Sequence, residues 1–204
     1  MTETPIHPYG PRTNWVRLQT LVVLRWIAIL GQFSAIVVAQ RLFGLDLLFG
    51  LCLLTICASV AANLLAIAVY PRAKRLSEAE VAGMLAFDVL QLALLVFLTG
   101  GLNNPFALLI IAPVAIAAMT LNAPAAAGIA LLAVASATCL LFWHIPLRTL
   151  EGVAMQMPQE FAFGFLVAIV IGILFLSVYA SRVTGEMQTL SEALAATQLA
   201  LSRD

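Results

Sequence analysis

The chain has 204 residues, of which 63% are hydrophobic and only 10% are charged. Soluble domains carry about 25% charged residues, so this composition excludes an ordinary soluble protein and indicates side chains that face lipid. The formal net charge is zero, so nothing in the charge balance favours a nucleic acid as a partner.

Six apolar stretches follow one another along the chain, and a membrane-spanning helix requires about 20 such residues. Pro71 ends the second stretch, while Ser77 and Glu80 form a capping-box pattern at the start of the third. Turn-forming residues end the third stretch, and Asn122 and Pro124 divide the long apolar run that follows. We therefore predict an all-α, polytopic membrane protein with six transmembrane helices at residues 20–39, 47–70, 77–98, 106–121, 125–143 and 161–181.

The basic residues are distributed unequally between the two sides of this predicted topology. Seven of them flank one side, namely Arg12, Arg17, Arg72, Lys74, Arg75, Arg182 and Arg203, and two flank the other, Arg41 and Arg148. Because basic residues are retained in the cytoplasm, the asymmetry predicts that the N-terminal segment 1–19 and the C-terminus are both cytoplasmic.

The C-terminal segment 182–204 changes character. Apolar positions recur there at spacings of four and three residues, at Val183, Met187, Leu190, Leu194, Thr197 and Leu201. This is the heptad pattern of a coiled coil. We interpret the segment as the start of a signalling linker that continues from the sixth helix and pairs in a homodimer; a frayed amphipathic tail is the alternative.

Polar residues inside the predicted helices form a second candidate site. Arg25, Asn63 and Asp88 lie at similar depths in the cytoplasmic half of the first three helices. A charge in the bilayer is costly, so we expect Arg25 to pair with Asp88, assisted by Asn63, as a clamp between these helices. A proton or ion path in a small transporter or channel is the alternative. Gln32 and Gln91 are expected to add hydrogen bonds between helices.

The sequence Gly-Gly-Leu-Asn-Asn-Pro-Phe follows the third predicted helix. Its glycines allow a sharp turn and close approach to a ligand, its asparagines carry amide donors and acceptors, and its proline starts a helix. Together with Phe97, these residues suit a flat, lipophilic ring with carbonyl oxygens, such as a quinone, although an ordinary turn is the alternative. The candidate ligand-binding residues are Gly100, Gly101, Asn103, Asn104, Pro105 and Phe106.

Other residues with reactive or aromatic side chains are interpreted more simply. Trp143 and His144 lie at the outer end of the fifth predicted helix and are candidates for the same pocket, but an interfacial anchor and a solvated loop residue are favoured. Cys52, Cys57 and Cys139 lack metal-binding spacing and are interpreted as small buried apolar residues. We find no motif for a catalytic or metal site.

The heptapeptide at residues 100–106 resembles a signature of the membrane region of RegB/PrrB-type redox-sensing histidine kinases, Gly-Gly-x-x-Asn-Pro-Phe after the third helix. The segment from Arg17 to Trp26 is also similar to that family, and the resemblance covers essentially the whole chain. It implies a domain of the bacterial inner membrane that binds ubiquinone at Gly100, Gly101, Asn103, Asn104, Pro105 and Phe106.

The resemblance further implies a two-component system. The phosphoacceptor histidine and the ATP-binding domain are expected beyond Asp204, so neither His7 nor His144 should be phosphorylated and this chain should have no phosphotransfer activity alone. A response regulator would be reached only through those missing parts. Quinone binding would shift the third and fourth helices against the sixth and move the coiled coil. A passive membrane anchor is the remaining alternative.

Overall fold

The computed structural model describes residues 18–70 and 76–201, and the predicted all-α, six-helix architecture is confirmed there. Five of the helices are long and apolar enough to cross a bilayer. The described residues do not include most of the segment 1–19, the basic cluster at 72–75 or Arg203. The six helices are α1 (Leu18–Arg41), α2 (Phe49–Val69), α3 (Glu78–Leu98), α4 (Ile111–Thr120), α5 (Ala123–Phe142) and α6 (Gln159–Leu201).

The fourth transmembrane segment is built from two kinds of helix. The six residues Pro105–Ile110 form a 3₁₀ helix, and the ten residues of α4 continue it directly. A 3₁₀ helix rises about 2.0 Å per residue and an α-helix about 1.5 Å, so the combined segment is about 27 Å long. This length is closer to the hydrocarbon thickness of about 30 Å than the length of about 24 Å that a purely α-helical segment of the same size would have.

The helices alternate in direction, which defines two sides of the molecule. Helices α1, α3 and α5 begin on one side, which we call the tail side, and the extension of α6 leaves the bundle there. The same three helices end on the opposite side, which we call the loop side, where α6 begins. The main core lies along α3, α4, α5 and α6, where Val89, Ala117 and Ile169 are completely buried. A smaller core joins α1, α2 and the loop-side end of α3.

The loop side contains a short β-ladder that the sequence analysis did not predict. Strands β1 (Leu45–Asp46) and β2 (Arg148–Thr149) pair antiparallel, and Leu150 N–H donates to the Gly44 carbonyl at 2.8 Å. Ile145 N–H also donates to the Phe97 carbonyl at 2.9 Å. These bonds tie the α1–α2 connection and the α5–α6 connection into one cover over the loop-side end of α3.

Helix α6 continues without a break beyond the predicted end of the sixth span. Its 43 residues correspond to about 65 Å, roughly twice the hydrocarbon thickness. Met187, Leu190 and Leu194 are exposed along the extension. The signalling linker, the coiled coil and the homodimer remain predictions.

The cysteines are placed differently from the prediction. Cys52 is buried in the smaller core, but Cys57 and Cys139 are exposed on the surfaces of α2 and α5. Hydrophobicity does not identify the buried face of a membrane helix, because lipid-facing and core-facing residues are both apolar.

On the tail side, a side-chain hydrogen bond joins the start of α3 to the N-cap residue of α5. Ser77 and Glu80 form the predicted capping box of α3, with Ser77 N–H donating to Glu80 Oε2 at 2.7 Å. Asn122 caps α5 by accepting a hydrogen bond from Ala125 N–H at 2.9 Å, and its Nδ2 donates to Glu78 Oε2 at 2.9 Å. Asn122 therefore both starts α5 and holds it against α3.

We expect Asn122→Ala to lower the free energy of unfolding by about 1–2 kcal/mol, because it removes the cap and the side-chain bond to Glu78. Asn122→Ser retains a capping oxygen and should lose less. The free energies are measured by denaturant titration in detergent micelles. Equal losses for the two variants would contradict a capping role.

A loop-side cavity and polar bridges between helices

The loop at residues 100–106 is held in a conformation that requires its two glycines. Gly100 and Gly101 have φ angles of +107° and +59°, values that side-chain-bearing residues adopt only with strain. A Cβ atom on Gly101 would lie 2.5 Å from His144 Cγ and 2.7 Å from the Leu140 carbonyl oxygen. The glycines therefore let the loop pack directly against the end of α5.

Asn104 fixes the second half of this loop. Its Oδ1 accepts a hydrogen bond from Phe106 N–H at 2.9 Å, which caps the 3₁₀ helix that begins at Pro105. Its Nδ2 donates to Thr99 Oγ1 at 2.7 Å, and this hydroxyl donates in turn to the Leu95 carbonyl at 2.8 Å. Asn104 thus connects the last turn of α3 to the start of the fourth transmembrane segment.

Asn103 connects the same loop to α5 and to the segment before α6. Its Nδ2 donates to the Gly100 carbonyl at 3.0 Å and lies 3.2 Å from His144 Nε2. Its Oδ1 accepts from Met157 N–H at 3.0 Å. His144 Nδ1 lies 3.1 Å from the Leu140 carbonyl, so the imidazole bridges loop and helix when Nδ1 carries the proton and Nε2 accepts.

The asparagine amides are therefore mostly engaged inside the protein, which differs from the expectation that they are available to a ligand. His144 is partly buried and hydrogen-bonded, so the interpretation as a solvated loop residue is wrong. Trp143 is 65% exposed and neither it nor His144 lines the cavity described next.

A cavity of about 640 Å³ lies between α1, α3, the 100–106 loop and the loop-side cover. Asn103, Asn104, Pro105 and Phe106 line it, but Gly100 and Gly101 do not. The two glycines shape the loop instead, since the space beside them is filled by Leu147 and His144. The remaining walls come from α1, α3, the 3₁₀ helix and the cover, through Gly31, Gln32, Ser34, Ala35, Ile36, Val38, Ala39, Phe43, Leu45, Leu47, Leu92, Leu95, Val96, Thr99, Leu109, Leu147, Met155 and Met157.

The cavity is apolar with a small number of polar groups. Phe43, Phe106 and Leu109 line it and are also exposed on the surface of the molecule. Phe106 and Leu109 belong to the fourth transmembrane segment, so their exposed side chains would face lipid in a bilayer. No local signal in the sequence predicts the walls from α1 and residues 147–157, because they meet the loop only in the folded protein.

Two pairs of atoms form the ion pair between Arg25 on α1 and Asp88 on α3. Arg25 Nη2 donates to Asp88 Oδ2 at 3.0 Å, and Arg25 Nε lies 2.8 Å from Asp88 Oδ1, although the N–H is not aligned as a hydrogen bond. Nη2 also donates to the Met84 carbonyl at 3.3 Å, and the guanidinium lies 5.8 Å from the centre of the Phe87 ring. The contacts on Arg25 thus come mainly from one turn of α3.

Asn63 does not join this pair, so the expectation that it assists Asp88 is wrong. It is completely buried, its Nδ2 donates to the Val22 carbonyl on α1 at 3.2 Å, and its Oδ1 has no hydrogen-bond partner among residues 18–70 and 76–201. Asn63 therefore joins α2 to α1, whereas Arg25 and Asp88 join α1 to α3.

The two glutamines form the expected bond between helices. Gln91 Nε2 donates to Gln32 Oε1 at 3.0 Å, and Gln32 Nε2 donates to Gln91 Oε1 at 3.5 Å. Both side chains are buried. The gap between α1 and α3 is therefore bridged twice, by the ion pair nearer the tail side and by this amide pair nearer the cavity.

Residues 12–195 match the family model described as the PilS-like transmembrane domain. The chain belongs to this family. It is 46% identical over 193 residues to a protein named sensor histidine kinase RegB from Cereibacter sphaeroides, covering 95% of this chain and 42% of the relative. A second RegB sequence, from a named strain of that species, is 47% identical with the same coverage. No solved structure matches the chain.

These comparisons confirm the resemblance to the membrane region of RegB-type kinases and establish a multi-pass membrane domain. The chain spans about two fifths of the length of the relatives it matches.

We expect Gly101→Ala to destabilise the domain by at least about 2 kcal/mol, because the new Cβ meets His144 and a backbone oxygen at a positive φ. Gly128→Ala in α5 is the matched control: no atom lies within 4 Å of its Cβ position, and a helical alanine adds up to about 1 kcal/mol. Thermal unfolding in micelles compares the two. A neutral Gly101→Ala would show that the loop does not need this glycine.

We expect Asp88→Leu to lower the free energy of unfolding by about 3 kcal/mol, because it leaves a buried guanidinium unpaired. The double variant Arg25→Leu/Asp88→Leu removes both charges and should regain most of this loss. Denaturant titration of the three proteins measures the difference. A double variant no more stable than the single one would contradict the clamp.

Proposed function

We propose that this chain is the membrane sensor domain of a two-component histidine kinase and that the loop-side cavity binds ubiquinone. The main support is that the resemblance implies a quinone at residues 100–106, and four residues of this motif line an apolar cavity between two helices. Phosphotransfer, and the contact with a response regulator, would belong to the part of the protein outside this chain, since the relatives are named histidine kinases and are more than twice as long.

The size and polarity of the cavity suit a quinone headgroup. Its volume of about 640 Å³ lies within the range of about 300–1,000 Å³ typical of small-molecule pockets. A quinone ring is flat and apolar apart from its ring oxygens, so mostly aliphatic walls with two aromatic side chains, Phe43 and Phe106, suit it. The exposed apolar residues at the cavity margin would leave an isoprenoid tail in the lipid.

A ligand oxygen would find few free donors on the cavity walls. Ser34 has no hydrogen bond within the described part of the chain, Gln32 retains one N–H, and Asn104 retains one Nδ2–H. These groups provide orientation, while the engaged asparagine atoms keep the loop rigid.

The signal would pass from the loop to α6. Asn103 binds Met157 only two residues before α6 begins, and α4 packs along α6, where Ile111 contacts Gly172. A ligand that binds two packings of these helices unequally shifts their populations by its difference in affinity. With both termini in the cytoplasm, the shift would reach the extension of α6 and the coiled coil of a homodimer.

The rival functions have less support. A transporter using Asp88 and Arg25 would require a path, but the described residues at that depth provide one acid and one base that already satisfy each other. That function predicts flux in proteoliposomes that Asp88→Asn abolishes. A passive anchor predicts no ligand at all.

We expect Phe106→Ala to weaken ubiquinone binding about three- to tenfold, because it removes an aromatic contact worth about 0.5–1.5 kcal/mol. Binding is followed by quenching of tryptophan fluorescence during titration of the domain in nanodiscs. Phe163→Ala is the matched control, because Phe163 is also exposed near the loop side but does not line the cavity.

Two further observations decide the outcome. Asn104→Ala should also weaken binding, because it releases Thr99 and the start of the 3₁₀ helix, and its folding is checked by thermal unfolding. Unsaturable partitioning that is identical in the wild type and all three variants would refute the quinone site and favour the passive anchor.

A further inference from the structure

The Gln32–Gln91 pair is the deepest polar group of the cavity. Gln32 is nine residues, or about 14 Å, from the loop-side end of α1. Hydrocarbon offers no hydrogen bonds at that depth, so a polar atom of the pair is satisfied by the protein, by a ligand or by water in the cavity. Only Gln32 of the pair lines the cavity, while Gln91 lies behind it on α3.

Each amide of the pair has unused hydrogen-bonding capacity. A glutamine amide carries two N–H donors and an oxygen with two acceptor positions. The pair uses one donor and one acceptor position of each residue, at 3.0 Å and 3.5 Å. Gln32 therefore retains one N–H and one acceptor position, whereas the polar atoms of Asn103 and Thr99 are committed to the loop.

The pair can also exist in two equivalent orientations. Rotating both amides by half a turn about their last side-chain bonds exchanges oxygen and nitrogen in each residue, and the two mutual hydrogen bonds form again. Whichever atom of the Gln32 amide faces the cavity is thereby exchanged between a donor and an acceptor. Because a single rotated amide would leave two donors or two acceptors facing each other, the two residues have to rotate together.

These properties match the chemistry that distinguishes the two oxidation states of a quinone. The ring oxygen of a quinone only accepts hydrogen bonds, whereas the hydroxyl of a quinol also donates one. We propose that Gln32 binds the ring oxygen of the ligand and that the orientation of the Gln32–Gln91 pair records whether that oxygen is a carbonyl or a hydroxyl. The inference rests on the proposed function of the cavity and assigns the contact that reads the redox state.

The position of Gln91 on α3 connects the ligand contact at Gln32 to the interior of the helix bundle. Gln91 and Asp88 are three residues apart on α3, and their partners Gln32 and Arg25 lie on α1. The amide pair and the ion pair thus bridge the same two helices at two successive depths. Gln32 is the residue that contacts the ligand, and Gln91 positions it.

The test compares the wild-type domain with Gln32→Met/Gln91→Met in nanodiscs. Methionine keeps the size of glutamine, and changing both residues leaves no unpaired amide, so the double variant should fold. Gln40→Met is the matched control, because Gln40 lies on the same helix but not on the cavity wall. Ubiquinone and ubiquinol are titrated separately, and the infrared carbonyl stretch of ubiquinone labelled with ¹³C at the ring carbonyls is recorded.

In the wild type and in Gln40→Met, we expect saturable binding of both forms and a carbonyl stretch at lower frequency than in protein-free lipid. In the double variant, both forms should bind about tenfold more weakly, as expected for one lost hydrogen bond of about 1–1.5 kcal/mol, and the carbonyl shift should disappear. Gln91→Met alone should weaken binding while retaining a carbonyl shift, because Gln32 is still present.

Wild-type affinity and an unchanged carbonyl shift in the double variant would refute the role of Gln32 and leave the quinone site intact. A saturable wild-type site without a carbonyl shift would refute it as well. Absence of saturable binding to the wild type would refute the proposed function, and the redox-reading contact with it.

Discussion

The cost of a polar group in hydrocarbon is the constraint on which this structure depends. Lipid supplies no hydrogen bonds, so each charged or amide side chain inside the bundle has to find its partner on another helix. Arg25 and Asp88 satisfy each other, Gln32 and Gln91 do the same, and Asn63 donates to the backbone of α1. The two side-chain pairs hold α1 and α3 at a fixed separation without filling the space between them, and the cavity occupies part of that space.

The heptapeptide loop has a different role from the one its residue types suggest. Its glycines provide positive φ angles and close packing against α5, and its asparagines bind Thr99, Met157 and neighbouring backbone groups. Most of the motif therefore builds a rigid wall, and Phe106 and Pro105 supply contact surface. Changes at the asparagines would act on a ligand mainly through the shape of the loop, whereas changes at Phe106 or Gln32 would act directly.

The loop also connects the cavity to the element that leaves the membrane. Asn103 is bonded to the backbone just before α6, and α6 then runs as one helix through the bundle and beyond it. A rigid helix transmits a displacement at one end to the other, which a flexible linker would not do. The 3₁₀ start of the fourth segment lines the cavity, and α4, which continues it, packs along α6, so a small change in helix pitch there would alter the packing of α4 on α6.

Composition, helix lengths and capping signals determined the number and order of the helices, the capping box at Ser77 and the continuation of the sixth helix, because these features depend on residues close together in the chain. The partnership of Arg25 with Asp88 was also predictable, since depth in a bilayer follows from counting residues along each helix. The tertiary structure decided how each helix is rotated about its axis, and therefore which side chains face the cavity, another helix or the surface. It placed Gln32 on the cavity wall, turned Asn63 away from Asp88, exposed Cys57 and committed both asparagines to the loop. In an apolar sequence every face of a helix resembles the others, so only the packing of the helices against one another could settle those assignments.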